Sequence, residues 1–103
     1  MTDKPTKRVS DYASSTMEFE GEHVAVSDLV NREFTITRIV ELSSEDGPYL
    51  GVEIQGERGA FFFFTSHLVV YRKLRQCIGH EPLLATIRKR EPQNGGYSFF
   101  DVE

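Results

Sequence analysis

The chain has 103 residues, of which 39% are apolar and 12% aromatic, and its formal net charge is −4. This length and composition indicate one small globular domain with a core of its own. No apolar run approaches the roughly 20 residues that a membrane span needs, so membrane insertion is not expected. A single cysteine, Cys77, excludes an internal disulfide, and a cytoplasmic location is the simplest expectation.

Charge is distributed unevenly along the chain. Between Ala60 and Arg90 there are six basic residues and one acidic residue, so this stretch carries +5 and the remainder carries −9. Such an asymmetry can present one basic face on an acidic protein, which would suit a nucleic-acid ligand. The same residues can instead form the solvated side of a helix and the outward charge of an edge strand.

Residues 1–23 are polar and have no sustained periodicity. This pattern predicts a flexible N-terminal leader before a domain at residues 24–103. We expect the larger apolar residues of the leader to stay mobile rather than to dock on the domain. These residues are Tyr12, Met17 and Phe19. A single helical turn capped by Ser27 should open the domain.

Two strands are predicted in the first half of the domain. In Phe34–Leu42 the alternation of apolar and polar residues breaks at Arg38 and Ile39, which predicts a bent or bulged strand. Tyr49–Gln55 alternates without a break. Its apolar face comprises Leu50, Val52 and Ile54. Gly51 within this strand indicates a bend, or the close approach of another group to the backbone.

The loop Gly56–Gly59 leads into a third predicted strand, which carries the four consecutive phenylalanines Phe61 to Phe64. A helix of about ten residues should follow, capped by Thr65 or Ser66 and ended by Gly79. Its apolar stripe comprises Val70, Tyr71, Leu74, Cys77 and Ile78.

Leu83–Arg90 and Tyr97–Val102 predict two further strands. Three strands, one helix and two strands is the order of the OB-fold, a five-stranded barrel whose helix closes one end. The predicted fold class is therefore mainly β: a five-stranded OB-fold-like barrel with one helix and a flexible N-terminal leader.

Short motifs in the domain support this assignment. They are Val26-Ser27-Asp28-Leu29-Val30 before Phe34-Thr35-Ile36, Phe64-Thr65-Ser66 leading into Val69-Val70 and Leu74, and Ala85-Thr86-Ile87. From about Val24 to Val102, the chain resembles small OB-fold proteins of phages and mobile elements that bind single-stranded DNA. That family has no catalytic signature, so the resemblance implies binding without catalysis.

The phenylalanine run supplies the candidate site, since aromatic rings on a sheet can stack unpaired bases. The residue before the helix should tuck beneath it, so we expect Phe64, and with it Phe62, in the core. Phe61 and Phe63 would then face outward, beside Tyr49 on the neighbouring strand. In the alternative, all four rings are buried between barrel, helix and leader or at a dimer contact.

Basic residues are expected to contact the phosphates of the ligand. They are Arg58, Arg88 and Arg90, with Arg38 as an addition. Single-stranded DNA is the expected ligand and RNA the alternative. Because the protein is acidic overall, we expect modest affinity that falls steeply as salt rises.

No cofactor, metal site or catalytic group is predicted. The three histidines lie far apart in sequence, and the single cysteine has no partner at a metal-ligand spacing. The carboxylates are scattered over loops, so an enzyme is not expected. Two other hypotheses remain: an interaction module whose aromatic barrel face binds a protein partner or its own copy, and an accessory subunit of a larger enzyme docked through the leader.

Overall fold

The structure, a computed structural model, describes residues 19–103. Residues 1–18, which include Tyr12 and Met17 of the predicted leader, lie outside the described range. Within residues 19–103 the chain forms six strands, one α-helix and one 3₁₀ turn. In chain order these are β1 (Glu22–His23), the 3₁₀ turn (Val26–Leu29), β2 (Glu33–Ser44), β3 (Gly47–Gly56), β4 (Gly59–Thr65), α1 (Leu68–Arg75), β5 (Leu83–Arg90) and β6 (Phe99–Val102).

The strands of the described chain form one curled sheet in the order β1-β4-β3-β2-β5-β6. Strand β2 is shared, because it pairs antiparallel with β3 along most of its length and with β5 at its start. Strands β3 and β4, and strands β5 and β6, also pair antiparallel, whereas β1 lies parallel to β4. The prediction of a mainly β domain with one helix is confirmed, but β1 was not predicted.

A bulge bends β2. The register between β2 and β3 shifts between Ile36 and Arg38, so Thr37 is the extra residue. The predicted irregularity is confirmed, although it begins one residue before the break in alternation. Just after the bulge, the backbone N–H of Ile39 donates a hydrogen bond to the Glu81 carboxylate at 3.1 Å. This bond satisfies a donor where the strand is irregular, and the bend curls the sheet.

The apolar core lies on one face of the curled sheet, against α1 and the 3₁₀ turn. Its largest side chains with almost no exposure are Phe63, Ile36, Leu50, Ile54, Ile87, Val52 and Val70. The predicted apolar face of β3 is therefore confirmed. Helix α1 buries Val70 and Leu74, two members of its predicted stripe.

The start of α1 differs from the prediction. The helix begins at Leu68 with His67 as N-cap, and not after a cap at Thr65 or Ser66. Thr65 is still the last residue of β4, and its Oγ1 accepts a hydrogen bond from the His67 N–H at 3.2 Å. Gly79 has a φ of 92° and lies in the turn that follows the helix, where the sequence placed the stop.

Strand β6 and the loop before β4 are shorter than predicted. Strand β6 begins at Phe99 and not at Tyr97, because its partner strand β5 ends at Arg90, which pairs with Phe99. The turn between β3 and β4 contains only residues 57–58, since the two flanking glycines pair with each other. In residues 19–103, no helix is long and apolar enough to cross a membrane.

Candidate ligand-binding face

The pairing of β3 with β4 decides which phenylalanines reach solvent. Val52 lies opposite Phe63, and directly paired residues of antiparallel strands project to the same face. The predicted orientation of the run is therefore wrong: Phe63 is 0% exposed in the core, and Phe61 packs against the core. Phe62 and Phe64 project from the opposite face of the sheet.

The orientation of the phenylalanines was predicted wrongly because the helix begins later than expected, at Leu68. Thr65, and not Phe64, is the residue that reaches the core at the end of β4, where it pairs with Leu50 and is 3% exposed. The residues between β4 and α1 then carry the chain to the helix. Within residues 19–103 of a single chain the four rings are not all buried, because Phe64 is 40% exposed.

Three aromatic side chains gather on the outer side of the sheet, and we call them the aromatic face. They are Tyr49, Phe62 and Phe64, and the rings of Phe19 and His23 pack against them. Phe64 is central, with its ring centroid 6.0 Å from Tyr49 and 5.7 Å from Phe62. The His23 ring lies 5.3 Å from Phe62. These are packing distances for aromatic pairs, so the cluster presents a ready-made surface of rings.

Of this cluster, sequence reasoning named only Tyr49 as a site residue. The alternation of β3 specifies its buried face. Pairing β3 with β4 in the correct register would then have placed Phe62 and Phe64 on the opposite face. A shallow groove of about 230 Å³ continues the face beyond Phe64. Its lining comprises Ser44, Asp46, Gly47, Pro48, Tyr49, Phe64, Thr65 and Ser66.

Residues Phe19–His23, which we call the strap, cross this face. The Phe19 ring lies directly over Gly51: a Cβ atom at Gly51 would be 2.3 Å from Phe19 Cζ. The same ring stacks on Phe62 at 5.5 Å and 23°, and meets Phe64 edge-on at 5.3 Å. The predicted close approach to Gly51 is thereby confirmed, whereas the expectation that Phe19 does not dock is wrong.

Polar contacts hold the strap at the same place. The backbone N–H of Glu20 donates to Glu53 Oε2 at 3.3 Å, and Arg38 donates to Glu53 Oε1 at 2.6 Å. Glu53 is only 8% exposed, so the arginine neutralises a buried charge. The Arg38 guanidinium also lies 5.5 Å from the centroid of the Phe19 ring, within range of a cation–π contact.

Strand β1 adds the strap to the outer edge of β4. His23 lies opposite Phe62, and the Val24 N–H donates to the Phe62 carbonyl at 2.9 Å. Gly21 has a φ of 96°, and a Cβ atom there would be 2.1 Å from the carbonyl oxygen of Ala60. Only glycine permits this approach, so Gly21 is what allows the strap to lie against the edge of β4.

Two of the predicted phosphate contacts lie away from the aromatic face and are engaged with carboxylates. Arg88 on β5 donates to Glu103 at 2.6 Å and to Asn31 at 2.8 Å. Arg90 pairs with Asp101 at 3.2 Å and with Glu103 at 3.3 Å. The Arg88 guanidinium accordingly lowers the pKa of the Glu103 carboxyl. The structure therefore does not bring Arg88 and Arg90 together with the rings.

Of the other two predicted arginines, Arg38 lies on the aromatic face, opposite Glu53 in the register of β2 with β3. Arg58 is exposed in the two-residue turn that joins β3 to β4, at the opposite end of this hairpin from Tyr49 and Phe64. The face thus combines the rings with one cation, Arg38, which is already paired with a carboxylate.

No metal-binding cluster is found in the part of the chain that the structure describes. No three His, Cys, Asp or Glu side chains there lie close enough to hold a metal ion. Cys77 is half-buried, and its thiol donates to the Lys73 carbonyl at 3.3 Å. No protein-family model, curated protein or solved structure matches this chain. Function must therefore be inferred from the aromatic face itself.

Proposed function

We propose that the protein is a non-catalytic module that binds single-stranded nucleic acid, DNA in the first instance, on its aromatic face. The observation that carries this proposal is the grouping of Tyr49, Phe62 and Phe64 on the solvent side of β3 and β4. Aromatic rings held on a sheet stack successive bases, at about 1–3 kcal/mol for each base. Phe61 and Phe63, which sequence reasoning favoured, are replaced in this role by Phe62 and Phe64.

The arrangement of the strands supports an OB-fold-like barrel. Among the five long strands the helix falls between the third and the fourth, and the first strand pairs with both the second and the fourth. In OB-folds the surface of the second and third strands binds oligonucleotides. Those strands correspond here to β3 and β4, which carry the aromatic face.

The cation that lies on the face is Arg38, whereas Arg58 lies in the turn at the far end of the β3-β4 hairpin. A strand whose bases stack on Tyr49, Phe64 and Phe62 would pass Arg38, and it would reach Arg58 only by continuing along the hairpin toward the turn. Arg88 and Arg90 could contribute only by leaving their carboxylate partners for phosphates. Exchange of the exposed Glu103 has a small cost, because exposed ion pairs contribute little, whereas the side chain of Asp101 is only 13% exposed and holds Arg90 more firmly.

The test is fluorescence anisotropy with a labelled oligo-dT of about 30 nucleotides, long enough to span several OB-fold site sizes. We expect binding that prefers the single strand to a matched duplex. Phe64→Ala should weaken it about 5- to 160-fold, the range that corresponds to one lost stacking contact of about 1–3 kcal/mol. Phe99→Ala is the matched control, because Phe99 is 38% exposed against 40% for Phe64 but lies on the far edge of the sheet. Equal affinities of both variants and the wild type would refute the assignment.

A protein-interaction module is the second candidate function. The observation that favours it is the strap, since a peptide segment already lies on the aromatic face. This function predicts a concentration-dependent dimer or a partner complex that salt does not weaken. Sedimentation velocity over a range of protein concentrations, compared between the wild type and Phe64→Ala, distinguishes it from oligonucleotide binding.

A further inference from the structure

Phe19 occupies a seat that is built for a flat ring. The floor of the seat is Gly51, whose missing side chain leaves the space, and one wall is Phe62, nearly parallel to Phe19 at 23°. Phe64 closes a second side edge-on, and the Arg38 guanidinium lies 5.5 Å from the Phe19 centroid. A glycine floor, a stacking wall and an arginine are also what would receive an unpaired base.

We infer that this seat is a nucleobase-binding subsite and that the strap fills it until a single strand displaces the strap. The inference rests on the proposed function. The strap imitates the ligand, because Phe19 takes the position of a base while Glu20 and Glu22, both exposed, place negative charges beside it on the strap. It therefore acts as a built-in competitor for the aromatic face.

The attachment of the strap suits such a role. Strand β1 has only two residues, and residues 20–23 are all exposed. Ordering a five-residue segment loses backbone freedom, and one half-buried ring with a few hydrogen bonds does little more than offset that loss. The buried core begins at Val26, so the strap can leave the sheet without opening the core.

The first experiment compares the affinity of full-length variants for the same oligo-dT. Phe19→Ala should bind about fivefold tighter or better, because the seat is then empty. The double variant Phe19→Ala/Gly51→Ala should bind oligo-dT at least fivefold more weakly than Phe19→Ala, since the new methyl group occupies the place of the ring. Gly51 does not have a positive φ, so alanine is compatible with its backbone.

The second experiment reports on the strap itself. The chain contains no tryptophan, so Phe19→Trp places a single tryptophan on the strap, whose emission can be excited apart from that of the four tyrosines. Saturating oligo-dT should shift its emission to longer wavelength as the indole enters water. Phe99→Trp, on the far edge of the sheet, should show no shift. This readout remains valid even if Phe19→Ala fails to fold.

Each outcome has a distinct meaning. One outcome is that Phe64→Ala binds oligo-dT more weakly than the wild type, while Phe19→Ala binds it no more tightly than the wild type. The proposed function then survives, and the inference that a single strand displaces the strap is overturned. Unchanged emission of the Phe19→Trp variant at saturation overturns it as well. If none of the proteins binds oligo-dT at low salt, both the inference and the proposed function are rejected.

Discussion

Glu81 should hold the bulge of β2, and its removal should destabilise the fold. Its carboxylate accepts the backbone N–H of Ile39 at 3.1 Å and also that of Gly79. Glu81→Ala would leave the N–H of the buried residue Ile39 without this acceptor, at a cost of about 1–3 kcal/mol. Gly79 is exposed, so water can replace its bond. We expect a loss of about 2 kcal/mol in the free energy of unfolding and a fall in Tm of about 8–16 °C.

The loss should depend on pH. Burial raises the pKa of Glu81, but hydrogen bonds from backbone N–H groups, including those of Ile39 and Gly79, outweigh burial and hold the pKa below its usual value of 4.5. A carboxyl whose pKa is lower in the folded than in the unfolded protein stabilises the fold above the unfolded value, and this stabilisation is lost as pH falls through the folded value. The difference between wild type and Glu81→Ala should therefore be constant near neutral pH and shrink below 4.5.

Urea unfolding followed by circular dichroism, at neutral pH and at successively lower pH, measures this difference. Glu81→Gln is the matched control: its amide keeps one oxygen acceptor but carries no charge, so its stability should lie between those of the other two proteins. A loss below about 0.5 kcal/mol for Glu81→Ala at neutral pH, the scatter of ordinary surface substitutions, would refute the role of Glu81. A difference that does not change as pH falls would refute the part assigned to its charge.

Two further substitutions test the core and the C-terminal ion pairs. Phe63→Ala should cost about 3–5 kcal/mol because the ring is fully buried, whereas Phe64→Ala should cost about 1 kcal/mol or less; similar losses in urea unfolding would contradict the orientation of β4. Burial raises the pKa of Asp101, but hydrogen bonds from Lys73 and Arg90 outweigh it and keep the pKa below 3.8. Asp101→Asn should therefore cost about 1–2 kcal/mol at neutral pH and less as pH falls below 3.8, and a pH-independent cost would argue against the ion pairs.

The strands were predictable because their signal is local. Leu50, Val52 and Ile54 alternate with polar or small residues, and that alternation specifies both a strand and its buried face. The bulge in β2 was also predictable, since an inserted residue breaks the alternation of apolar and polar side chains along a strand. Glycine gave information of the same kind: Gly51 in mid-strand predicted that another group would approach the backbone.

The composition of the aromatic face was not predictable in the same way. Four consecutive phenylalanines have no alternation, so their orientation depends on where β4 ends and how it pairs with β3. An error in the start of α1 was enough to exchange the inner and outer rings. The docking of Phe19 depends on a contact between positions 19 and 51, far apart in sequence, and the two-residue strand β1 is too short to leave a periodic pattern.

The pairing of the arginines changes how the proposed binding should respond to salt. Sequence alone predicted a modest affinity that falls steeply as salt rises, because the protein is acidic overall, and it named four arginines as phosphate contacts. For single strands, each such contact contributes about −0.7 to the slope of log affinity against log salt, so four contacts would give about −2.8. Arg88 and Arg90 are held by carboxylates away from the rings, which leaves Arg38 on the face and Arg58 in the turn at the end of the hairpin as the remaining candidates.

Phosphate contacts by both Arg38 and Arg58 would give a slope of log affinity against log salt of about −1.4. Stacking on Tyr49, Phe62 and Phe64 would have to supply most of the remaining affinity. A shallow slope combined with a large loss in Phe64→Ala is therefore the signature of binding on this face. A slope near −2.8 would mean that Arg88 and Arg90 leave their carboxylates for phosphates. A slope of zero, with oligo-dT binding retained, would mean that no arginine contacts a phosphate and that stacking on the rings alone holds the strand.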